Sequence, residues 1–365
     1  MKKLRVGVLC GGKSTEHEVS LWSAKNVLES LDRERFEPVL IAIDRDGQWF
    51  LPEVSKTTLP SGLTDVTRRT GGDADVMLRP ESHGQMVATS GEEQRLDVVF
   101  PVLHGGFGED GTIQGLLRLS GVPFVGAGVL GSAIGMDKDV MKRLLREAGI
   151  PVARFLAIRQ GTAPSYESVV ASLGSPFFLK PANAGSSVGV HKVRSEREYD
   201  EALADAFLYD TKVLLEEYIV GREIEVSVLG NDQPMASVPG EIIPTKEFYT
   251  YEAKYLDEAG ARLEIPAELP EDMVKRFQSL ACQVFQVLEC AGLARVDFFL
   301  RENGEILVNE INTLPGFTAR SMYPKLWEAS GLSSTDLMTR LIDLAIERAT
   351  KEQSLRTTYR SEIKD

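Results

Sequence analysis

The chain opens with apolar runs that alternate with helical patterns. Three short, continuous runs bounded by glycine or polar residues predict buried strands: 4–10, 36–44 and 97–104. Helical patterns follow at 15–31 and 112–120, and the first begins with Thr15 and Glu18 in capping-box spacing. Strands that alternate with helices in this way predict a parallel sheet with helices on its faces.

The pattern changes twice further along the chain. A single long helix is predicted at 130–148, and strands and helices alternate again after it. From residue 220 the strands have antiparallel character, with a long helix at 270–290 and a last helix at 333–349. These changes predict an α/β protein with three units: an N-terminal parallel-sheet α/β domain over 1–138 and two α+β subdomains over 139–217 and 218–365.

A weakly patterned segment, 52–95, lies between the second and third predicted strands. It is rich in Thr, Ser, Gly and Asp, and its apolar residues follow neither the helical nor the strand period. We therefore expect an insertion within the first domain, not a separate domain.

Composition and charge narrow the list of partners. Hydrophobic residues make up 43% and charged residues 26% of the 365 residues, as in soluble globular proteins. The formal net charge of −13 argues against a nucleic-acid backbone or an anionic membrane as the main partner, because both require a basic surface. The three cysteines are spaced for neither a zinc site nor a disulfide framework. With no signal-peptide core and no apolar run of membrane length, we expect a cytoplasmic protein.

The first strand carries a match to a phosphate-binding loop. Residues 7–14, GVLCGGKS, fit the pattern G-x-x-x-x-G-K-[ST]. Three of the four variable residues are apolar, however, and continue the strand that begins at Leu4. The turn would then follow the strand and place Glu16 at its carboxyl end, where open α/β sheets commonly bind ligands. Glu16 there complements a helix dipole or meets a cationic group such as an amine. A phosphate-loop kinase or GTPase remains an alternative that depends on 7–14.

The stretch ARVDFFLRENGEILVNEIN, 294–312, predicts a hairpin with acidic residues on one face. A two-residue turn at Asn303 and Gly304 makes two pairs face each other: Asp297 with Glu310 and Arg295 with Asn312. Two facing carboxylates repel by about 3 kcal/mol at roughly 5 Å and an effective dielectric constant near ~20. An exposed cluster neutralised by arginine is one interpretation. Apolar neighbours on both faces favour the other, Mg²⁺ held by oxygen ligands and shared with phosphates.

Two stretches offer cations and donors for phosphate. LKPANAGSSVGV, 179–190, places Lys180 at a strand end before a Gly/Ser loop whose N–H and hydroxyl groups suit phosphate oxygens, although a plain flexible hairpin has the same composition. Lys138 in GMDKDVMK is a second candidate cation, or a solvated lysine.

Two further stretches suit a nucleotide and a lid over it. LLEEYIVGREIEV, 214–226, carries Glu216, Glu217 and Glu223, which either accept hydrogen bonds from adenosine or form an ordinary acidic edge. EFYTYEAKY, 247–255, has the aromatic residues and lysine of a closing lid, or of a packed surface loop.

Taken together, these motifs resemble the ATP-grasp superfamily and, within it, the D-alanine–D-alanine ligase family. The likeness extends from about residue 4 to 345 and is carried by HGGFGEDGTIQG (104–115), KPANAGSSVGV, YEAKY, RVDFF and NEINTLPGFT. The resemblance implies an ATP-grasp fold in which two α+β subdomains clasp ATP. It also implies ATP-dependent joining of two D-alanine molecules through an acyl phosphate, with release of ADP and phosphate, for peptidoglycan synthesis, and it implies a homodimer.

The resemblance also assigns roles by motif position. The implied catalytic and substrate-binding residues are Glu16, His104, Ser186, Tyr255, Arg295, Gly316, Ser321 and Met322. Glu16 would face the ammonium of the first substrate, and Ser321 would hold the carboxylate of the second. Arg295 and the Gly316 N–H would stabilise the tetrahedral oxyanion.

The nucleotide and metal ligands are implied in the same way. For ATP they are Lys138, Lys180, Ser186, Ser187, Glu216, Glu217, Ile219, Glu223 and Lys254. For two Mg²⁺ ions, or Mn²⁺ in their place, they are Asp297, Glu310 and Asn312. A monovalent cation is a further cofactor that the resemblance allows, with no residues assigned to it. Asn183 departs from the family pattern, where many relatives carry arginine, whereas Tyr255 matches the members that use an amine as second nucleophile.

Besides the phosphate-loop enzyme, two further alternatives stay open. One is another carboxylate–amine ligase of the superfamily. The other is a nucleotide-binding regulator without catalysis, which would have no need of the metal-binding residues.

Overall fold

The computed structural model describes residues 2–52, 73–89, 91, 93–186, 188–244 and 260–356. The helices in this part of the chain are α1 (His17–Ser30), α2 (Thr112–Leu119), α3 (Val129–Met136), α4 (Lys138–Glu147), α5 (Tyr166–Leu173), α6 (Glu196–Ala206), α7 (Glu271–Val287), α8 (Met322–Ala329) and α9 (Ser334–Gln353). None of these described helices has the length and apolar character needed to cross a membrane.

Three sheets contain the described strands. The first is formed by β1 (Leu4–Gly11), β2 (Phe36–Ile43), β3 (Trp49–Leu51), β4 (Ala74–Leu78), β5 (Gln85–Ala88), β6 (Glu93–Arg95) and β7 (Val98–Val102). The second is formed by β8 (Phe155–Arg159), β9 (Phe177–Pro181), β10 (His191–Val193) and β11 (Lys212–Glu217). The third is formed by β12 (Arg222–Gly230), β13 (Met235–Ala236), β14 (Gly240–Pro244), β15 (Ala261–Glu264), β16 (Gly292–Leu300) and β17 (Ile306–Asn312).

The first sheet has a parallel centre, as predicted. Its order is β6-β5-β4-β3-β2-β1-β7, and β1 pairs in parallel with both β2 and β7. Gly7 lies in the middle of β1, opposite Val39 and Val99, so the stretch 7–11 is strand and leaves no room for a phosphate loop. The turn starts at Gly11, whose φ of +92° and closeness to the Ile43 carbonyl, 2.2 Å from an ideal Cβ, require glycine.

The segment predicted as a weakly patterned insertion contributes strands to this sheet. β4, β5 and β6 form antiparallel pairs and extend the sheet from β3. Val76, Leu78 and Met86 join the apolar core between the sheet and α2. These strands were missed because each is short. The rest of the predicted insertion, residues 53–72, lies outside the described part of the chain.

The prediction of one helix over 130–148 was wrong. Asp137 has an extended backbone, φ −83° and ψ 97°, and separates α3 from α4. Its carboxylate accepts hydrogen bonds from the backbone N of Asp139 and of Val140, each at 3.1 Å, and also binds Lys212 Nζ at 2.6 Å. An N-cap that stabilises the start of α4 therefore interrupts an otherwise continuous helical pattern.

The second and third sheets are antiparallel and hold the remaining predicted elements. Their orders are β10-β9-β11-β8 and β15-β14-β12-β16-β17, with β13 beside β12. The third sheet packs on α7, where the rings of Phe277 and Phe298 meet edge to face at 5.4 Å. Phe100 of β7 packs on Phe317, which packs on Tyr323 of α8. This shared core holds the first sheet against α8.

The boundaries of the three units, 1–138, 139–217 and 218–365, stay a prediction.

Candidate active site

A cavity of about 340 Å³ opens between the carboxyl end of β1, the start of α4, the hairpin β16–β17 and α8. Most of the predicted site residues line it: Glu16, His104, Lys138, Ser186, Glu223, Arg295, Asp297, Glu310, Asn312, Gly316, Ser321 and Met322. Four predicted nucleotide ligands are not among its lining residues: Lys180, Glu216, Glu217 and Ile219. Ser187, Lys254 and Tyr255, with the predicted lid, lie outside the described residues.

Glu16 joins two parts of the cavity wall that are far apart in sequence. It is buried at the N-cap position of α1, without a capping hydrogen bond from its side chain. Ser186 in the loop after β9 donates a hydrogen bond from Oγ to its carboxylate. Gly105 and Gly185 lie against the same carboxylate, since ideal Cβ atoms at these positions would stand 3.0 and 3.5 Å from Glu16 Oε2. The geometry holds a carboxylate at the position predicted to meet an ammonium group.

His104 is paired with a residue that the sequence analysis missed. Its Nδ1 lies 3.2 Å from the Leu314 carbonyl and 3.5 Å from Glu109 Oε1, and Glu109 also lines the cavity. Burial lowers the pKa of His104, but contact with Glu109 outweighs it and raises that pKa above its usual value. Burial, with the nearby charge of Glu16, raises the pKa of Glu109. The motif HGGFGEDG contains both residues, yet nothing in its spacing distinguishes Glu109 from Asp110.

The predicted pairs on the hairpin are confirmed. Asp297 lies opposite Glu310, and Arg295 lies opposite Asn312. Glu225, on the other side of β16, lies opposite Asp297, so three adjacent strands each present a carboxylate. Glu225 was missed because the pairing of β12 with β16 spans too much sequence to be inferred from a turn.

Arg295 neutralises part of this acidic row. Its Nε and one terminal nitrogen donate to the two oxygens of Asp297, each at 2.7 Å, and its Nε lies 3.0 Å from Glu225 Oε2. Burial lowers the pKa of Arg295, but the charges of Asp297 and Glu225 outweigh it and raise the pKa well above its usual value. The guanidinium is therefore a permanent cation fixed at the cavity wall.

The donors predicted to hold metal ions are oxygens on one face of the hairpin. Asp297, Glu310 and Asn312 all line the cavity, and the Asn312 side-chain oxygen also accepts from Leu314 N at 3.0 Å. Across the described ranges, no three His, Cys, Asp or Glu side chains are grouped closely enough to hold a metal ion by themselves. A bound Mg²⁺ would thus need ligands besides these carboxylates, in keeping with its preference for sharing phosphate oxygens and waters.

Lys138 ties α4 to both the hairpin and the Gly/Ser loop. Its Nζ donates to the Ala184 carbonyl at 2.8 Å and lies 3.5 Å from Glu310 Oε2. Asn183, the departure from the family pattern, is exposed and bonds to Asp210 through both its backbone N and its side chain. Its effect is therefore local to the loop.

Lys180 and Glu216 form a buried cluster with Lys142, which the sequence analysis missed. Glu216 Oε2 lies 3.0 Å from Lys180 Nζ and 3.2 Å from Lys142 Nζ. Burial raises the pKa of Glu216, but the two ammonium charges outweigh it and hold the pKa below its usual value. Burial lowers the pKa of Lys142 to about 8. Contact of Glu216 with adenosine stays a prediction.

Two other predicted nucleotide ligands outside the cavity lining, Glu217 and Ile219, contact other parts of the protein. Glu217 accepts from Arg154 N at 2.9 Å and from the Arg154 guanidinium at 2.8 Å, and it also lies 3.3 Å from Arg301. Ile219 packs with Ala153 and Leu307. Their contacts with ATP stay predictions.

The far end of the cavity is formed by the loop that leads into α8. Ser321 Oγ accepts from Thr318 N at 2.9 Å, and an ideal Cβ at Gly316 would lie 2.9 Å from this oxygen. Gly316 thus leaves space that any side chain would fill. Met322 packs with Ile242 and Leu326 behind Ser321 and gives this end an apolar wall.

Family models match most of the chain, and relatives match nearly all of it. A model described as "D-ala D-ala ligase N-terminus" matches residues 5–127, and one described as "D-ala D-ala ligase C-terminus" matches residues 144–343. The chain is 52% identical to the D-alanine–D-alanine ligase of Shouchella clausii, over 98% of this chain and 99% of the relative. It is 49% identical to D-alanine–D-alanine ligase A of Escherichia coli strain K12, over 98% of this chain and 100% of the relative.

Solved structures show the same likeness. The D-alanine–D-alanine ligase from Coxiella burnetii matches with a TM-score of 0.85 and 39% identity, over 97% of both chains. The VanG D-Ala:D-Ser ligase from Enterococcus faecalis matches with a TM-score of 0.84 and 36% identity, over 94% of this chain and 100% of the other. These likenesses confirm the predicted ATP-grasp fold. The chain belongs to the D-alanine–D-alanine ligase family.

Proposed function

We propose that this chain is an ATP-dependent ligase that joins two D-alanine molecules into D-alanyl-D-alanine for peptidoglycan synthesis. The carboxylate of the first D-alanine is converted to an acyl phosphate, which the amine of the second attacks, and ADP and phosphate are released. The observation that carries the proposal is that Glu16, Arg295 and Ser321 line one cavity. These side chains suit the three charges of the reaction: an ammonium, an oxyanion and a carboxylate.

Glu16 binds the ammonium of the first D-alanine. Its carboxylate is buried, and the hydrogen bond from Ser186 fixes its orientation. The same bond connects the substrate site to the Gly/Ser loop, so that phosphate held by the loop lies near the carboxylate to be activated. Tyr255, in the lid, completes the group.

Arg295 stabilises the oxyanion that forms when the amine attacks the acyl phosphate. Because its guanidinium is held by Asp297 and Glu225, it need not reorganise as the charge develops. The N–H of Gly316, which lines the same cavity, adds a second donor. Ser321 holds the carboxylate of the second D-alanine.

The nucleotide lies between the second and third sheets. Lys138, Lys180 and Lys254 bind phosphates, with Ser186 and Ser187 as loop donors. Glu216, Glu217, Ile219 and Glu223 hold adenosine. Asp297, Glu310 and Asn312 would hold two Mg²⁺, or Mn²⁺, and the ions would supply positive charge that offsets the charge of the transferring phosphate.

We also propose a cytoplasmic homodimer. The resemblance to the family supports the dimer. The three cysteines, Cys10, Cys282 and Cys290, are free thiols, which is typical of proteins in a reducing compartment.

Phosphate release tests the proposed function. Purified protein with ATP and Mg²⁺ would be offered D-alanine, L-alanine, D-serine and D-lactate in turn, with the products identified by mass. We expect rapid phosphate release and D-alanyl-D-alanine with D-alanine alone. Release that depends on a different amino acid would indicate another carboxylate–amine ligase, and no release with any of them would leave a nucleotide-binding regulator.

A further inference from the structure

The positive charges of the cavity differ in how the chain neutralises them. Lys138 lies 3.5 Å from Glu310, and Arg295 binds Asp297 through two hydrogen bonds. Lys325 of α8 also lines the cavity and is only half-exposed. Within the described residues its side chain makes neither a hydrogen bond nor an ion pair. In the part of the chain that the structure describes, the ammonium of Lys325 thus lies at the cavity wall without a carboxylate partner.

The position of Lys325 at the start of a helix is one at which a bound anion would be favourable. Lys325 lies in the first turn of α8, where the positive end of the helix dipole disfavours a cation. Ser321 is the N-cap of the same helix and precedes Lys325 by four residues, so both lie on one helical face. A negative group bound at Ser321 is thus within the field of both the ammonium and the helix terminus.

We propose that Lys325 binds the carboxylate of the second D-alanine and selects acceptors that carry one, an inference that rests on the proposed function. The first D-alanine loses its carboxylate charge when it becomes an acyl phosphate. The second D-alanine keeps its carboxylate through the whole reaction. A cation that binds this carboxylate must therefore lie apart from the groups that stabilise the reacting centre. Arg295 faces the reacting centre, whereas Lys325 stands beside Ser321, at the end predicted for the second carboxylate.

Acceptor kinetics test this role. In Lys325→Met, whose side chain keeps the length of the stem and removes the charge, initial rates would be measured over a wide range of D-alanine and fitted to two successive binding events. We expect the KM of the second D-alanine to rise at least about tenfold, a loss of about 1.4 kcal/mol. The KM values for the first D-alanine and for ATP should change less than about twofold, on the same scale.

A neutral acceptor separates charge recognition from packing. D-alaninamide has the amine and methyl group of D-alanine but no carboxylate. The wild-type enzyme should strongly prefer D-alanine as acceptor, and Lys325→Met should lose most of this preference. Lys325→Arg keeps the charge and should restore a KM near the wild-type value. A merely structural role would not change the preference between the two acceptors.

Lys275→Met is the matched control. Lys275 is an exposed helical lysine that pairs with Glu271 on α7 and does not line the cavity, so both KM values should stay at wild-type levels. An active wild-type enzyme with an unchanged second KM and unchanged acceptor preference in Lys325→Met would overturn the inference alone. A wild-type protein that forms no dipeptide would overturn the proposed function, and the inference with it.

Discussion

Lys142 Nζ lies 3.2 Å from Glu216 Oε2, and neither side chain is accessible enough for water to replace the contact. Lys180 approaches the same oxygen, so two lysines share one carboxylate in the interior. A buried cluster with excess positive charge is unfavourable in isolation. If Lys180 binds phosphate, as proposed, the excess charge is offset, and Lys142 remains to neutralise Glu216.

Replacing Lys142 by Met should therefore weaken ATP binding without weakening the fold. The remaining Lys180–Glu216 pair is neutral, so Lys180 is held more firmly and is less available to phosphate. We expect the KM for ATP to rise about tenfold, or about 1.4 kcal/mol, with the KM for D-alanine nearly unchanged. The melting temperature should stay equal or rise, because protonating Lys142 at a depressed pKa costs the folded state free energy below pH about 8.

Arg143→Met provides the comparison, because Arg143 follows Lys142 on α4 but has an exposed side chain, which pairs with Asp139. It should leave the KM for ATP at the wild-type value. A Lys142→Met enzyme with wild-type ATP kinetics would show that Lys142 has no part in positioning the nucleotide site.

The hairpin shows how far sequence reasoning reaches. Its pairs Asp297–Glu310 and Arg295–Asn312 were predicted from a two-residue turn. The structure has a longer turn, with Leu300 opposite Ile306, and a bulge between Asp297 and Phe298 that restores the predicted register. The longer turn shifts the pairing next to it by one residue from the predicted register. The bulge adds one residue to β17 before Glu310 and so cancels this shift at the acidic pair. The face that carries the chemistry was therefore predicted correctly from an incomplete description of the turn.

The residues that were missed depend on contacts that no local pattern specifies. Lys142 and Glu225 gain their importance from neighbours distant in sequence. Glu109 pairs with His104 of the same motif, but the loop geometry that selects Glu109 instead of Asp110 is not encoded in the spacing. Buried strands, helix periods and turn residues depend on local chemistry and were mostly found. Asp137 was overlooked for the opposite reason, because its N-cap role is local but the apolar period continues through it.

Glu310→Gln tests the predicted metal site. The substitution keeps the shape of the side chain but removes one of two facing carboxylate charges, so it should reduce the affinity for divalent cations. We expect the rise in melting temperature that Mg²⁺ produces with an ATP analogue to shrink by more than half. The concentration of Mg²⁺ needed for half-maximal turnover should increase at least about tenfold.

Glu225→Gln is the control for the loss of charge, since Glu225 belongs to the same row of carboxylates but is not a predicted ligand. It should retain the Mg²⁺-dependent shift in melting temperature. Equal responses of Glu310→Gln and the wild-type protein to Mg²⁺ would argue against Glu310 as a ligand.

Substitutions of Lys13 and Lys180 distinguish two sites for the ATP phosphates: the phosphate-loop match at 7–14 and the Gly/Ser loop that follows Lys180. Lys13 is exposed after β1, outside the cavity lining, and packs its stem near Gly47. Lys180 is buried at the end of β9. Lys13→Ala should change the KM for ATP by less than about twofold, whereas Lys180→Ala should raise it at least about tenfold. The reverse order in direct binding measurements would restore the phosphate-loop interpretation of residues 7–14.

Arg154 and Glu217 should make a pH-dependent contribution to stability. Burial raises the pKa of Glu217, but hydrogen bonds from the Arg154 backbone and guanidinium outweigh it and hold the pKa below its usual value. Because the folded pKa is lowered, the stabilisation is complete above the unfolded pKa of about 4.3 and is lost as the pH falls through the folded value. Arg154→Met should thus lower the free energy of unfolding at neutral pH by about 1 kcal/mol, allowing for the exposure of the guanidinium.

Urea unfolding at pH 7 and at progressively lower pH measures this effect. The difference between wild type and Arg154→Met should shrink as Glu217 is protonated, because a neutral carboxyl no longer forms an ion pair. Arg197→Met, which removes an exposed partner of Glu201 on α6, should change the unfolding free energy by only a few tenths of a kcal/mol, in the range of surface pairs. A deficit in Arg154→Met that stays constant with pH would attribute the effect to packing of the arginine stem instead of its charge.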